Sequence, residues 1–148
     1  MMSLIAAPWF VKIYQRNQVK SAAFEVQTTL IAARMRAVKR NVPVSVVITS
    51  LTPPIELKTI EPPPATPNPT PVPPVLKLPA SSVQFVATPL SAGGTVTFGS
   101  DGRLLNFANQ TPAVYQMQGP VGQTTPIPIW VRINSGGRVE VVTPTVTP

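Results

Sequence analysis

Glu25, Glu56, Glu61, Asp101 and Glu140 are the only carboxylate side chains in this 148-residue sequence, which has no histidine and no cysteine. The chemistry open to it is narrow. Without histidine, the commonest general base and the commonest transition-metal ligand are gone. Without cysteine, there is no disulfide, thiolate nucleophile or thiolate metal site. The local spacing of the five carboxylates suggests no acid–base pair. Gly93-Gly94 lacks the Lys and Ser/Thr of a phosphate-binding loop. Asp101 lies in Ser100-Asp101-Gly102, where a turn explains it better than a metal does, since no second carboxylate is near in sequence. The sequence therefore predicts no catalytic residue, no metal site and no cofactor, and a protein that is not an enzyme.

Basic side chains are the other candidates for chemistry, because a net charge of +7 suggests an acidic partner. Their placement qualifies that. Residues 12–40 hold Lys12, Arg16, Lys20, Arg34, Arg36, Lys39 and Arg40 against Glu25 alone, a balance of +6; the rest of the chain balances to +1. Lys12, Arg16 and Lys20 are four apart and share one helix face. Arg34, Arg36, Lys39 and Arg40 crowd the last turns, where cations oppose the negative end of the helix dipole. A solvated helix face is the plainer reading; a surface for acidic partners or lipid headgroups is the sharper one.

These charges sit on one long expected helix, from Ser3 to about Asn41, on the order of 55 Å. Phe24, Ile31, Met35 and Val38 recur at three-, four- and seven-residue steps, which predicts a stripe buried against a sheet. Ala22, Ala23, Ala32, Ala33 and Ala37 favour the helix and allow close neighbours. Pro8 is expected to kink or loosen the start; Asn41 and Pro43 are expected to end it. Before Lys12 only eleven residues are available, against the roughly 20 apolar residues of a membrane span. The stretch Leu4 to Val11 reads as the remnant of a membrane helix whose beginning is missing, with Pro8 and Trp9 where it would leave the bilayer. The plainer alternative is an apolar terminus docked on its own domain. The expected organisation is thus residues 1–41 as helix with an anchor remnant, and 42–148 as a β domain.

In that domain, Val44 to Thr49 reads as a central strand, and Ile55 to Ile60 as a weaker one pairing back. Residues 61–74, EPPPATPNPTPVPP, hold eight prolines and are expected to lie outside any sheet, in polyproline II. A stiff surface loop is preferred here over a ligand for a proline-recognising domain. Short strands are expected at Val75 to Leu78, Val83 to Ala87, Thr95 to Gly99 and Leu104 to Phe107, the last two joined by a hairpin turn at Ser100-Asp101-Gly102. The final hairpin is the clearest. A three-residue loop, Ser135-Gly136-Gly137, sets Ile133 opposite Val139, Val131 opposite Val141 and Arg132 opposite Glu140. Only this register keeps one face apolar, and the glycine pair supplies a left-handed residue.

The stretches IAAPWFVKIYQRNQVKSAAFEVQTTLIAARMRAVKRNVPVSVV (5–47), LPASSVQF (78–85), VTFGSDGRL (96–104) and IWVRINSGGRVEVV (129–142) resemble the GspH/FimT family of pseudopilins and minor pilins. The segment AARMRAVKRNVPV (32–44) and the Gly-Arg hairpin carry most of the likeness. The Pro-rich insert has no counterpart. The short basic leader, glycine cleavage site and FTLIE-like helix start of a family member do not match, so processing and membrane insertion are expected only for a fuller parent chain. The resemblance implies an α+β, pilin-like fold, a long N-terminal helix packed on a C-terminal antiparallel β domain. It also implies a structural minor subunit of a type II secretion pseudopilus or a type IV pilus.

On that reading Pro8, Phe10, Phe24, Ile31, Met35 and Val38 are the helix and filament packing residues. The implied partners are other pilin or pseudopilin subunits, the inner membrane through the helix, and secreted cargo. The implied location is the bacterial inner membrane with a periplasmic β domain, or an assembled envelope filament. Some FimT-like members are associated with DNA uptake through a Gly-Arg-x-Arg hairpin. A DNA-binding minor pilin using Arg103, Arg132 and Arg138 is therefore the alternative. Here the run is Gly137-Arg138-Val139-Glu140, and the carboxylate in place of the second arginine argues against phosphate binding.

Overall fold

A computed structural model describes residues 7–49, 55–61, 71–78, 84–87, 94–105, 113–118 and 128–143. One helix, α1 (Ala7–Arg40), is followed by eight strands: β1 (Val44–Ile48), β2 (Ile55–Ile60), β3 (Pro71–Leu78), β4 (Gln84–Ala87), β5 (Val96–Phe98), β6 (Ala113–Gln118), β7 (Ile129–Ile133) and β8 (Val139–Val142). They form two four-stranded sheets, ordered β3-β2-β1-β5 and β4-β6-β7-β8, and every pairing is antiparallel. The α+β expectation holds.

At 34 residues, α1 is about 51 Å long. Pro8 lies in the first turn described; the carbonyls that its ring would meet belong to residues 1–6, so the expected kink or loosening falls outside the described residues. At the other end Asn41 takes a positive φ of 55°, its N–H donates to the Val38 carbonyl, and the Val42 N–H donates to the Ala37 carbonyl. This pair of bonds is a Schellman cap. It satisfies two otherwise orphan carbonyls, and Val42 packs on the core as the chain enters β1. Residues 1–6, including the expected start at Ser3 and the first three residues of the anchor remnant, Leu4 to Ala6, lie outside the described residues.

The helix buries a face other than the one expected. Val19, Ala22, Ala23, Val26, Thr29, Leu30, Ala33 and Ala37 point into the core, all 5% exposed or less. Phe24, Ile31, Met35 and Val38 are 47%, 38%, 67% and 51% exposed. At 100° per residue the two stripes are roughly 150° apart. The physical reason is size. Four alanines in the inward seam let the helix lie close to both sheets, while the bulky stripe would hold it off. Thr28 and Thr29 donate their hydroxyls to the carbonyls of Phe24 and Glu25, so Thr29 is buried without an unsatisfied oxygen.

Inward residues alternate along the strands, and Val44, Val46, Ile55, Leu57, Phe98, Tyr115, Met117, Val131 and Ile133 join the helix seam in one core cluster. Three expectations change. Residues 71–74 pair with β2, with Ile60 opposite Pro71 and Thr59 opposite Val72 after a register shift. Proline is accommodated because, among the described residues, β3 is an edge strand with no neighbour on its second side to receive a ladder bond. The part of the Pro-rich tract at 62–70 lies outside the described residues. β6 was not anticipated; its residues AVYQMQ alternate buried and half-buried, but two glutamines weaken the pattern. Leu104 makes only a single bridge to Phe98 rather than starting a strand, and residues 106–107 are outside the described set. Val83 is too, so the expected fourth strand is seen from Gln84.

Candidate functional site

Two surfaces merit attention: the outer face of α1 and the pair of turns at the end of the β domain. On α1, Phe10, Tyr14, Phe24, Ile31, Met35 and Val38 are exposed and run the length of the helix on the side away from its own sheets. The side chain of Pro8 is outside the described residues. Exposed aliphatic and aromatic side chains scattered singly need no account, but a group of them on one side of a helix, here interrupted by Asn17 and Ser21, is apolar area that a packed neighbour would remove from water. Lys20 lies over the Phe24 ring, 6.0 Å from its centroid, so a cation borders the apolar run.

The helix end is fixed to the β domain by charge. Glu61, at the close of β2, receives Arg36 Nε on one oxygen and Arg40 Nη1 on the other, the latter at 2.9 Å. Lys39 and Arg40 in the last turn also oppose the helix dipole. On β2 and β3, Glu56 stands opposite Lys77 and meets it at 3.1 Å, with Lys58 at 3.4 Å. Hydrogen bonding to the Lys77 ammonium, and its charge, hold the Glu56 carboxyl below its ordinary value.

The two turns are built alike and lean on each other. In the first, the Gly99 N–H donates to the Arg103 carbonyl and Gly102 has φ 76°. Asp101 Oδ1 accepts from the Arg103 N–H at 3.0 Å, an Asx-type bond that makes Asp101 a turn residue, as expected. In the second, the Asn134 N–H donates to the Arg138 carbonyl, Asn134 Oδ1 accepts from the Arg138 N–H, and Gly137 has φ 75°. The loop is the expected three residues, and the register is the expected one: Ile133 opposite Val139, Arg132 opposite Glu140, Val131 opposite Val141. The Leu104 N–H donates to the Ser135 carbonyl, joining the turns. Arg34 Nε donates to the Gly102 carbonyl at 3.0 Å, so the helix is tied to both. A Cβ on Gly137 would run into that same carbonyl oxygen. This role of Arg34 was missed in the sequence, where it looked like one more cation near the helix end.

The arginines of the nucleic-acid alternative are thereby located. Arg132, Asn134, Arg138 and Glu140 line one shallow polar depression of about 190 Å³. Arg138 Nε meets Glu140 at 2.8 Å, and Arg103 Nε meets Asp101 at 3.6 Å. Arg103 belongs to the neighbouring turn and does not line the depression. Two of the three candidate phosphate contacts are thus already held by carboxylates, and Arg132 stands across the strands from one of them.

Comparison with known proteins agrees with this architecture. A family profile described as type II transport protein GspH matches residues 22–137, over three quarters of the chain. The fold is similar to that of the type IV minor pilin FimU of Pseudomonas aeruginosa, with a TM-score of 0.67 at 19% identity, covering 89% of this chain and 96% of that one. It is also similar to the minor pseudopilin EpsH from the type 2 secretion system of Vibrio cholerae, with a TM-score of 0.66 at 17% identity, covering 86% and 98%. No curated protein sequence matches the chain. With the profile spanning the helix from Ala22 onward and seven of the eight strands, the chain belongs to the GspH family of type II transport proteins and has the pilin-like α+β fold.

Proposed function

We propose that this protein is a structural minor subunit of a cell-envelope filament, either a type II secretion pseudopilus or a type IV pilus. The observation that carries the reading is the second apolar stripe of α1. Phe10, Phe24, Ile31, Met35 and Val38 face away from the sheets that the helix already covers, and exposed apolar area of this kind gains stability only when another element covers it. The helix would take its place among the helices of neighbouring subunits. The β domain would face outward, where neighbours and secreted cargo are met. We infer that the helix is also the contact with the inner membrane before assembly, with the β domain on the periplasmic side. Among the described residues no helix is long and apolar enough to cross a membrane. The DNA-uptake reading is not favoured, because Asp101 and Glu140 occupy Arg103 and Arg138.

The test is incorporation. In cells whose own copy is deleted, tagged wild-type protein is expected in the sheared filament fraction. An Ile31→Asp, Met35→Asp variant with an unchanged circular dichroism spectrum is expected to stay out of it. Absence of the wild-type protein from filaments, with secretion or piliation unaffected by the deletion, would sink the proposal.

A further inference from the structure

The second sheet carries a tryptophan on its outer face that the filament reading leaves unused. Along β7, Ile129, Val131 and Ile133 are buried in the core. Alternation therefore puts Trp130 and Arg132 on the opposite face, the first half-buried and the second exposed. The register fixes their neighbours. Gln116 of β6 and Val142 of β8 flank Trp130, while Val114 and Glu140 flank Arg132 in the next row. All four neighbours are half-buried. Two residues of extended strand span about 7 Å, so the indole adjoins the shallow depression of about 190 Å³ lined by Arg132, Asn134, Arg138 and Glu140.

Every polar side chain of this patch is planar: a guanidinium, a carboxylate or an amide. Such groups set hydrogen-bond donors and acceptors side by side. Glu140 offsets one of the two arginines, meeting Arg138 at 2.8 Å. The patch thus suits a ligand that both donates and accepts, carries little charge, and has one apolar face for the indole. A pyranose ring has all three properties. Its C–H groups form an apolar face, and its hydroxyls form a rim that donates and accepts. The depression is smaller than the roughly 300 Å³ at which drug-sized pockets begin, which fits one ring at a time and not an enclosed oligosaccharide.

We propose that this face binds a β-1,4-linked glycan, with one ring on Trp130 and the hydroxyls of the next in the depression beside Arg132 and Asn134. The linkage follows from shape. β-1,4-linked pyranoses extend as a flat ribbon that can lie across an open sheet face, whereas α-1,4-linked chains coil and lift away from it. The proposal goes beyond the filament reading and does not depend on it. Nucleic acid suits the patch poorly, because Glu140 holds Arg138 and repels phosphate. So does a protein partner: the centre of a protein interface is depleted of charge, and here Arg132 and Glu140 stand in the row beside the indole.

Trp9 and Trp130 are the two tryptophans of the sequence, so Trp9→Phe leaves Trp130 as the reporter. Cellohexaose and chitohexaose are titrated into this otherwise full chain, with maltohexaose as the α-linked control, and tryptophan emission is followed. At least one β-linked hexasaccharide is expected to shift the emission to shorter wavelength. A Kd on the order of 1 mM is the strength expected of one stacked ring and a few hydrogen bonds. It should not change in about 1 M salt, since a neutral ligand offers no charge to screen. Arg132→Ala, at an exposed position, should weaken binding about tenfold, as loss of a hydrogen bond from a charged donor does. By calorimetry, Trp130→Ala should abolish the heat of binding and Trp130→Tyr should restore part of it; if the alanine variant does not fold, Arg132→Ala carries the test. No shift with either β-linked hexasaccharide up to about 10 mM, equal affinity for maltohexaose, or undiminished binding by Arg132→Ala would each overturn the proposal. So would a shift produced by duplex DNA or by an acidic peptide in place of the glycans. None of these results bears on incorporation into filaments, so either conclusion can fail without the other.

Discussion

Gly137 shows how much of this molecule depends on single backbone positions. Its φ of 75° and its contact with the Gly102 carbonyl both require the absence of a Cβ. A left-handed residue other than glycine costs about 1–2 kcal/mol, and the collision with backbone adds to that. Gly137→Ala is therefore expected to cost at least about 2 kcal/mol, a fall of roughly 6 °C or more in thermal midpoint for a domain of this size. Calorimetry of the two proteins checks it; an unchanged midpoint would mean that the two turns are not in register as described. Tyr115 is the second sensitive residue. Its phenol is buried, and burial pushes its ionisation above the ordinary value of 10.0. The folded form keeps the proton while the unfolded chain releases it near pH 10, so this stability is complete below pH 10 and is lost as pH rises above it. The slope is about 1.4 kcal/mol per pH unit for one proton. Urea melts of Tyr115→Phe between pH 9 and 11.5 should fall less steeply than wild type by that amount; parallel curves would mean that the phenol already reaches water.

At the scale of elements, the contrast between the last hairpin and the helix explains what sequence could and could not disclose. The hairpin was legible because its register follows from local facts: alternation on each arm and a glycine where φ must be positive. The helix carries two apolar stripes, and periodicity cannot choose between them. The choice depends on how near the sheets must come, which is a non-local matter, and the alanine and valine seam wins although each member is small. β3 was half-legible for a similar reason. Proline excludes a residue from a central strand, but whether a strand is central is decided by the sheet and not by the residue. The packing argument can be checked with two helix substitutions. Ala33 is fully buried and Met35 is 67% exposed. Ala33→Leu inserts volume into a closed seam and is expected to cost about 1–3 kcal/mol, whereas Met35→Ser should stay within about 0.5 kcal/mol. Denaturant melts decide it, and a Met35→Ser cost larger than that of Ala33→Leu would restore the bulky stripe to the core.

For the whole molecule, charge is divided between parts with different work. Residues 12–40 carry a balance of +6 and the remainder +1, so the protein's positive field belongs to the helix while the exposed β domain is nearly neutral. That division separates a filament subunit from a DNA-binding one. Duplex DNA is held by neutralising phosphates, and the hairpin that could do so spends Arg138 on Glu140 at 2.8 Å and sets Arg132 across from the same carboxylate. Wild-type β domain is therefore expected to show no specific DNA binding at physiological salt. Glu140→Arg releases Arg138, removes a charge that repels phosphate, and recreates a Gly-Arg-x-Arg run over a shallow depression already lined by Arg132 and Asn134. Its affinity for duplex DNA should rise, with a salt dependence steeper by roughly one phosphate contact. Fluorescence titrations of both proteins at two salt concentrations make the comparison. Tight binding by wild type would promote the DNA-uptake role over the structural one. No change on substitution would show that charge is not what keeps DNA from this surface, and that the orientation of the paired turns, held by Arg34 through Gly102, makes the hairpin a scaffold rather than a contact.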